Sequence, residues 1–239
     1  MVKNSQFALP DFLDGNEAQG LRLQSDQSIA QFEIGNYRNF VYLILDWKEK
    51  KAAIIDPQSD LSAPLEVLAH NGFVLTSILL THTHHDHIAG VPGLLELLPT
   101  LPVYVHEDDA HRLKKTVPTS NLRGLQDSAT IKIGSLVARL LHTPGHSAGE
   151  VCYSVDTSDS KYLFTGDTIF VRDCGRTDLE SGSNSAMFDS LQRIRKLPAD
   201  TIILPGHHYK PECNTVLGRE LIESPPFQCK TEAELRALP

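Results

Sequence analysis

Thr81-His82-Thr83-His84-His85-Asp86-His87 is the stretch on which the reading of this chain turns. It directly follows an apolar run, Thr76–Leu80, so its side chains stand where a strand ends and the backbone turns. In extended backbone alternate residues share a face, which sets His82 beside His84. Asp86 and His87 fall at the start of the next helical segment and point from another direction. One short segment can thus serve two adjacent metal ions. Read as a plain polar loop, it would crowd four imidazoles together with nothing to balance their desolvation, which is costly.

Three later segments repeat the same grammar of apolar strand, tight turn and candidate ligand. Leu140–His146 presents His146 after Pro144-Gly145, Tyr162–Asp167 presents Asp167 after Gly166, and Ile202–His207 presents His207 after Pro205-Gly206. Glycine and proline let the backbone turn sharply at a sheet edge, so the next side chain can reach across it. Imidazole and carboxylate without thiolate suit Zn(II), Fe(II) or Mn(II), with zinc first. The expected assignment gives one ion His82, His84 and His146, the other Asp86, His87 and His207, and makes Asp167 a bridge. Two ions about 3.5–4 Å apart hold a shared water as hydroxide near neutral pH and polarise a carbonyl or phosphoryl oxygen. Such a centre hydrolyses without a Ser or Cys nucleophile.

The rest of the chain sets limits on that chemistry. Its 239 residues suffice for one full core, and 41% apolar against 22% charged residues is a globular balance. A single domain over 1–239 is expected, with 1–27 as a lead-in and 210–239 as a short tail of one or two helices. The net charge is −8 with scattered Lys and Arg, which argues against a nucleic-acid partner. No apolar run is long enough to span a bilayer, and Pro10, Asp11 and Asp14 interrupt any leader, so a cytoplasmic protein is expected. Cys152, Cys174, Cys213 and Cys229 show no CxxC spacing and read as free thiols. The oligomeric state is not legible.

Strands are expected at Ser28–Glu33, Phe40–Leu45, Ala52–Asp56, Thr76–Leu80, Pro102–Val105, Thr130–Ile133, Leu136–His142, Val151–Val155, Lys161–Thr165 and Thr201–Leu204. Helices are expected at Leu61–Asn71, Ala89–Leu98, Asp108–Lys115 (capped by Asp108 or Asp109) and Ser185–Lys196. Strands with interspersed helices imply an α/β fold of sheets covered by helices.

At the ligand segments the chain resembles the metallo-β-lactamase superfamily, from about Ser28 to Tyr209. The resemblance implies a four-layer αβ/βα sandwich with metals at one edge. HTPGHSAGEVCY (142–153), FTGDTIFVRDCGRTDL (164–179) and LPGHHY (204–209) further resemble glyoxalase II (hydroxyacylglutathione hydrolase) and the persulfide dioxygenases, both of which handle glutathione thiol derivatives. The glyoxalase II resemblance implies a dinuclear hydrolase that cleaves a small acyl-glutathione-like thioester through a metal-bridging hydroxide. Asp86 and Asp167 would then orient the metals and the hydroxide. Arg176 would sit near the glutathione carboxylates and Tyr209 near its backbone. The dioxygenase resemblance implies a single Fe(II) at positions matching His82, His146 and Asp167. CGRTD (174–178) is similar to the dioxygenases, whereas the bulky His85 is similar to glyoxalase II. VLGRELIESPPF (216–227) resembles the ending of short glyoxalase II-like hydrolases, which lack that enzyme's long C-terminal helical domain.

Plainer readings stand beside these. Arg176 can pair with Asp173 or Asp178, and Tyr209 can pack beneath the site. His142 is expected to pack, His85 and His208 to line the rim, and His70, His106 and His111 to be ordinary. Cys152 reads as core and Cys174 as a small buried residue near the ligand loop.

Overall fold

The computed structural model describes residues 28–238, together with the backbone of Arg22–Leu23. Most of the expected lead-in, 1–27, therefore lies outside the described residues. Seven strands make the first sheet in sequence order: β1 (Arg22–Leu23), β2 (Ile29–Ile34), β3 (Asn39–Asp46), β4 (Lys51–Ile55), β5 (Val74–Leu79), β6 (Val103–His106) and β7 (Leu122–Leu125). The first four pair antiparallel, and β4 to β7 pair parallel. Parallel neighbours need crossovers. Here α1 (Ser62–Asn71) joins β4 to β5, and two short helices, α2 (His85–Ile88) and α3 (Val91–Leu97), join β5 to β6.

The second sheet is built from β8 (Thr130–Ile133), β9 (Leu136–His142), β10 (Val151–Asp156), β11 (Lys161–Gly166), β14 (Ile202–Pro205) and β15 (Thr215–Val216), in the order β15-β14-β11-β10-β9-β8. A separate ribbon pairs β12 (Ile169–Phe170) with β13 (Asp173–Cys174). On the outer face of the second sheet lie α5 (Asn184–Ile194), α6 (Leu217–Glu223), α7 (Pro225–Gln228) and α8 (Glu232–Arg236).

Alternation along β3 shows how the layers arise. Val41, Leu43 and Leu45 join Leu68, Val91 and Leu94 of the helices, while Phe40, Tyr42 and Ile44 face Tyr153, Tyr162 and Phe164 of the second sheet. A strand with both faces buried reads as continuous apolar sequence, and all eight residues of β3 are buried. Beyond the second sheet, Leu163 meets Met187, Leu191 and Ile194 of α5 and Leu217, Phe227 and Leu235 of the tail. The layers therefore run helix, sheet, sheet, helix.

Two expectations need correction. The helix expected over Asp108–Lys115 is a single turn, α4 (Glu107–Ala110), followed by a 3-10 turn at His111–Leu113. Its cap is neither Asp108 nor Asp109: the His106 ring accepts from Asp108 N. The tail carries three short helices and an edge strand rather than one or two helices, and its apolar residues complete the outer core. Strand β7 was not expected, because Leu122-Arg123-Gly124-Leu125 lacks alternation and holds a glycine.

Candidate metal centre

The two sheets meet at one edge, where the backbone stitches them together. Phe40 N donates to Gly206 O at 2.7 Å, His208 N donates to Arg38 O at 2.9 Å, and Asn39 bridges to His207. All seven expected ligands converge there. His82, His84 and His146 place three ligand atoms within 4.8 Å of one another, and so do Asp86, His87 and His207. Asp167 lies between the two groups. Its Oδ2 is 3.4 Å from both His146 Nε2 and His207 Nε2, and its Oδ1 is 3.5 Å from His87 Nε2.

Each element delivers its ligand at the end of a strand. The segment after β5 turns into α2, which swings Asp86 and His87 away from His82 and His84. The turn after β11 depends on Gly166 at φ +47, where a Cβ would meet Glu150 Oε1 at 2.4 Å and Thr81 Oγ1 at 2.5 Å. Gly206 gives the same close approach after β14, since a Cβ there would lie 2.4 Å from Asp167 Oδ1.

Four imidazoles are held through Nδ1, which leaves Nε2 facing inward. His87 Nδ1 is 3.0 Å from Asp56 Oδ2, His146 Nδ1 is 2.8 Å from Arg176 O, and His207 Nδ1 is 2.9 Å from Tyr37 O. His82 Nδ1 lies 3.1 Å from Thr81 Oγ1 and 3.2 Å from Glu150 Oε2. An oxygen on one ring nitrogen fixes the tautomer, so the other nitrogen presents a lone pair. The network continues behind the ligands. Asp56 accepts from Thr81 N at 2.8 Å and Thr81 Oγ1 at 2.6 Å, Glu150 accepts from Asp167 N at 3.0 Å, and Asn39 Nδ2 donates to Asp86 at 3.0 Å. Asp56 itself sits at φ +49, a conformation that costs a non-glycine residue energy and turns its carboxylate back under Thr81.

Asp56 and Glu150 were missed in the sequence. Their signals are local: Asp56 closes the apolar run Ala52–Ile55 before a proline, and Glu150 opens the apolar run Val151–Val155. An acid at the end of a fully buried strand needs a partner there.

The site's electrostatics fit a cation. Burial pushes His82 well below the usual imidazole range, and the neighbouring His87 adds to this. Burial also lowers His84, with His146 adding to it. His87 goes the other way: burial opposes its charge, but Asp167, Asp56 and Asp86 outweigh that and raise it to about 9. Burial would raise Asp167, yet His87, His207 and His82 hold it well below the carboxylate range. The buried atoms His82 Nε2 and Asp167 Oδ1 have no hydrogen-bond partner. His84 Nδ1 approaches His146 Nε2 at 2.9 Å, and His87 Nε2 approaches His207 Nε2 at 3.1 Å. Imidazole nitrogens converging on one another inside a carboxylate-lined pocket are the donors that a divalent ion would take up in place of protons, so the donor set fits the implied metal.

The sequence of the Metallo-beta-lactamase superfamily domain matches residues 34–207, which include every one of these groups. The chain belongs to the metallo-beta-lactamase superfamily. It is 39% identical over 172 residues to a hydroxyacylglutathione hydrolase of Rhodopseudomonas palustris (strain BisB18), covering 72% of this chain and 63% of that protein. It is 35% identical over 176 residues to the probable polyketide biosynthesis zinc-dependent hydrolase PksB of Bacillus subtilis (strain 168), covering 72% and 74%. Its fold overlays ETHE1 from Myxococcus xanthus with a TM-score of 0.77 at 30% identity, over 88% of this chain and 92% of that one. The chain spans less than two thirds of the length of the hydroxyacylglutathione hydrolases that it matches.

The expected substrate residues lie at this superfamily centre's rim. Arg176 is turned away into a bidentate pair with Asp178, at 2.6 and 2.7 Å, and it is the Arg176 carbonyl that touches the centre. Tyr209 stacks on His207 with ring centroids 4.8 Å apart and planes 5° apart, and 53% of it is exposed. Burial, followed by Asp167 and Asp86, pushes its phenol up to about 12.

The other histidines are accounted for. His85 is exposed and meets Tyr37 edge-on, while His208 sits between Glu33 and Arg38 at 2.6 and 2.7 Å. His106 and His142 stack with centroids 3.8 Å apart and planes 11° apart. Asp108 completes a further group of possible donors with them, but His106 Nδ1 already accepts from Asp108 N at 3.3 Å and His142 Nε2 lies 2.9 Å from Ala148 O. All four cysteines are free, Cys152 is buried, and burial raises the Cys174 thiol to about 12.

Proposed function

We propose that this chain is a dinuclear metal-dependent hydrolase that cleaves a small thioester of the acyl-glutathione type. The observation that carries the reading is the position of Asp167, whose one carboxylate lies within 3.5 Å of imidazole nitrogens from both ligand groups. His82, His84 and His146 would hold one divalent ion and Asp86, His87 and His207 the other, with Asp167 shared. Zinc leads, and iron and manganese are compatible with the same donors. Two such ions would supply a hydroxide at neutral pH and Lewis acidity toward the thioester carbonyl.

The chain's own residues do the positioning. Asp86, fixed by Asn39, and Asp167, fixed through its backbone by Glu150, present carboxylates of defined direction to the nucleophile. Tyr209 presents a protonated phenol at the rim for the thiol arm. Arg176, released from Asp178, would meet an anionic end of that arm. We assign residues 1–239 to one domain working in the cytoplasm, a placement supported by its four free thiols. Among the described residues no helix is long and apolar enough to cross a membrane.

The test is metal analysis of untagged protein combined with S-lactoylglutathione hydrolysis with and without chelator. Two ions per chain and chelator-sensitive thiol release are expected. The match to ETHE1 over nearly the full length of both chains supports a second reading, a mononuclear Fe(II) persulfide dioxygenase. One iron per chain with oxygen uptake on glutathione persulfide would establish that reading in place of the first.

A further inference from the structure

We propose that Asp109, on α4 and in none of the ligand-bearing segments, is the positioning residue for the His82, His84 and His146 group. The inference rests on the metal-centre reading above. The Asp109 side chain is fully buried and collects three donors from two separate loops. Its Oδ2 accepts from Thr83 Oγ1 and from Ser147 Oγ, both at 3.1 Å, and its Oδ1 accepts from Gly149 N at 3.1 Å. Arg112 Nε stands 4.0 Å from Oδ1.

The identity of these donors gives the contact its meaning. Thr83 lies between His82 and His84, and Ser147 follows His146. Gly149 precedes Glu150, whose carboxylate faces the His82 ring. One buried carboxylate thus ties together the segments that supply all three imidazoles of one group. Gly149 permits the approach, because a Cβ there would lie 2.5 Å from Asp109 Cγ. The Asp86, His87 and His207 group is braced elsewhere, by Asn39, Asp56 and the Tyr37 carbonyl. A fault at Asp109 should therefore reach one metal position and spare the other.

The experiment measures zinc affinity by chelator competition in two backgrounds. His207→Ala leaves the His82, His84 and His146 group complete, and His84→Ala leaves the other. Asp109→Ala is expected to weaken zinc about 10–100-fold in the first background, as loss of a ligand's support does, and to change it less than about twofold in the second. Asp109→Asn keeps an acceptor for Gly149 N–H and offers an amide to hydroxyls that can turn to accept, so it should restore most of the loss. If Asp109→Ala does not fold, the Thr83→Val/Ser147→Ala double variant removes two of the three bonds and should show the same asymmetry at about tenfold. Equal losses in both backgrounds, no loss in either, or an Asn variant no better than Ala would each overturn the proposal. A wild-type chain that binds no divalent ion would instead overturn the metal-centre reading.

Discussion

The two sheets contribute to the centre in opposite ways. The first sheet supplies four candidate ligands from one contiguous segment after β5, and two of them lean on side chains: His82 on Thr81 and Glu150, His87 on Asp56. The second sheet supplies one ligand per strand end, and two of its three lean on main chain: His146 on the Arg176 carbonyl, His207 on the Tyr37 carbonyl. A side-chain brace disappears with a single substitution, whereas a carbonyl brace survives any substitution that keeps the backbone in place. The first-sheet ligands should therefore be fragile to mutations around them, and the second-sheet ligands robust.

The largest expected effect ignores that contrast. Asp167→Ala removes the carboxylate that lies between both groups, so on the dinuclear reading metal content should fall from two ions toward none, with affinity lost by well over a hundredfold, beyond what loss of a supporting partner costs. The proposed hydrolysis should fall with it. Asp56→Ala comes next and tests the fragile side. It strips His87 of its partner and Thr81 of two hydrogen bonds, so one ion should weaken about 10–100-fold. Chelator competition checks both variants.

Arg176→Ala tests the robust side. The brace on His146 is a backbone atom and the guanidinium pair is exposed and screened by water, so metal content should hold and stability should scarcely change. If Arg176 meets the substrate, KM should rise while kcat holds. Loss of metal in this variant would break the comparison.

The smallest effect lies farther back. Asp127 accepts from His142 N at 2.8 Å and pairs with Arg193, which holds its carboxyl down at about 2. A carboxylate lowered by folding adds stability above its unfolded pKa, near 4, and loses it as pH falls through the folded value. Asp127→Asn should therefore cost under about 1 kcal/mol at neutral pH for so exposed a pair. The gap from wild type should close between about pH 4 and pH 2 in acid unfolding, with metal binding unchanged at pH 7.

Legibility followed the same division. His82, His84, Asp86 and His87 can be read together because one turn carries them, and β8 and β9 match their expected bounds because regular patterning marks both ends. His146, Asp167 and His207 were legible only as three copies of one strand-and-turn grammar. The supports showed at most as acids at strand ends, with nothing in the sequence to say what they hold. Asp56, Glu150 and Asp109 stand at least 25, 17 and 26 positions from the residues they hold, and no local pattern joins each to its partners. The two-residue strands β12, β13 and β15 are too short to show a period. The helix expected at Asp108–Lys115 gives way after Ala110 to a 3-10 turn, and the pattern of the segment did not reveal that Asp109 within it is a buried acceptor.

The stitch between Tyr37 and His207 joins positions 170 residues apart. Loops of that span close late, after local helices and hairpins have formed. During synthesis, a ribosome that has made only the first sheet has exposed His82, His84, Asp86 and His87 without Asp167 or His207. On the dinuclear reading, firm capture of both cations would then wait until His207 has emerged, which would make loading a step that follows the folding of the first sheet rather than its seed.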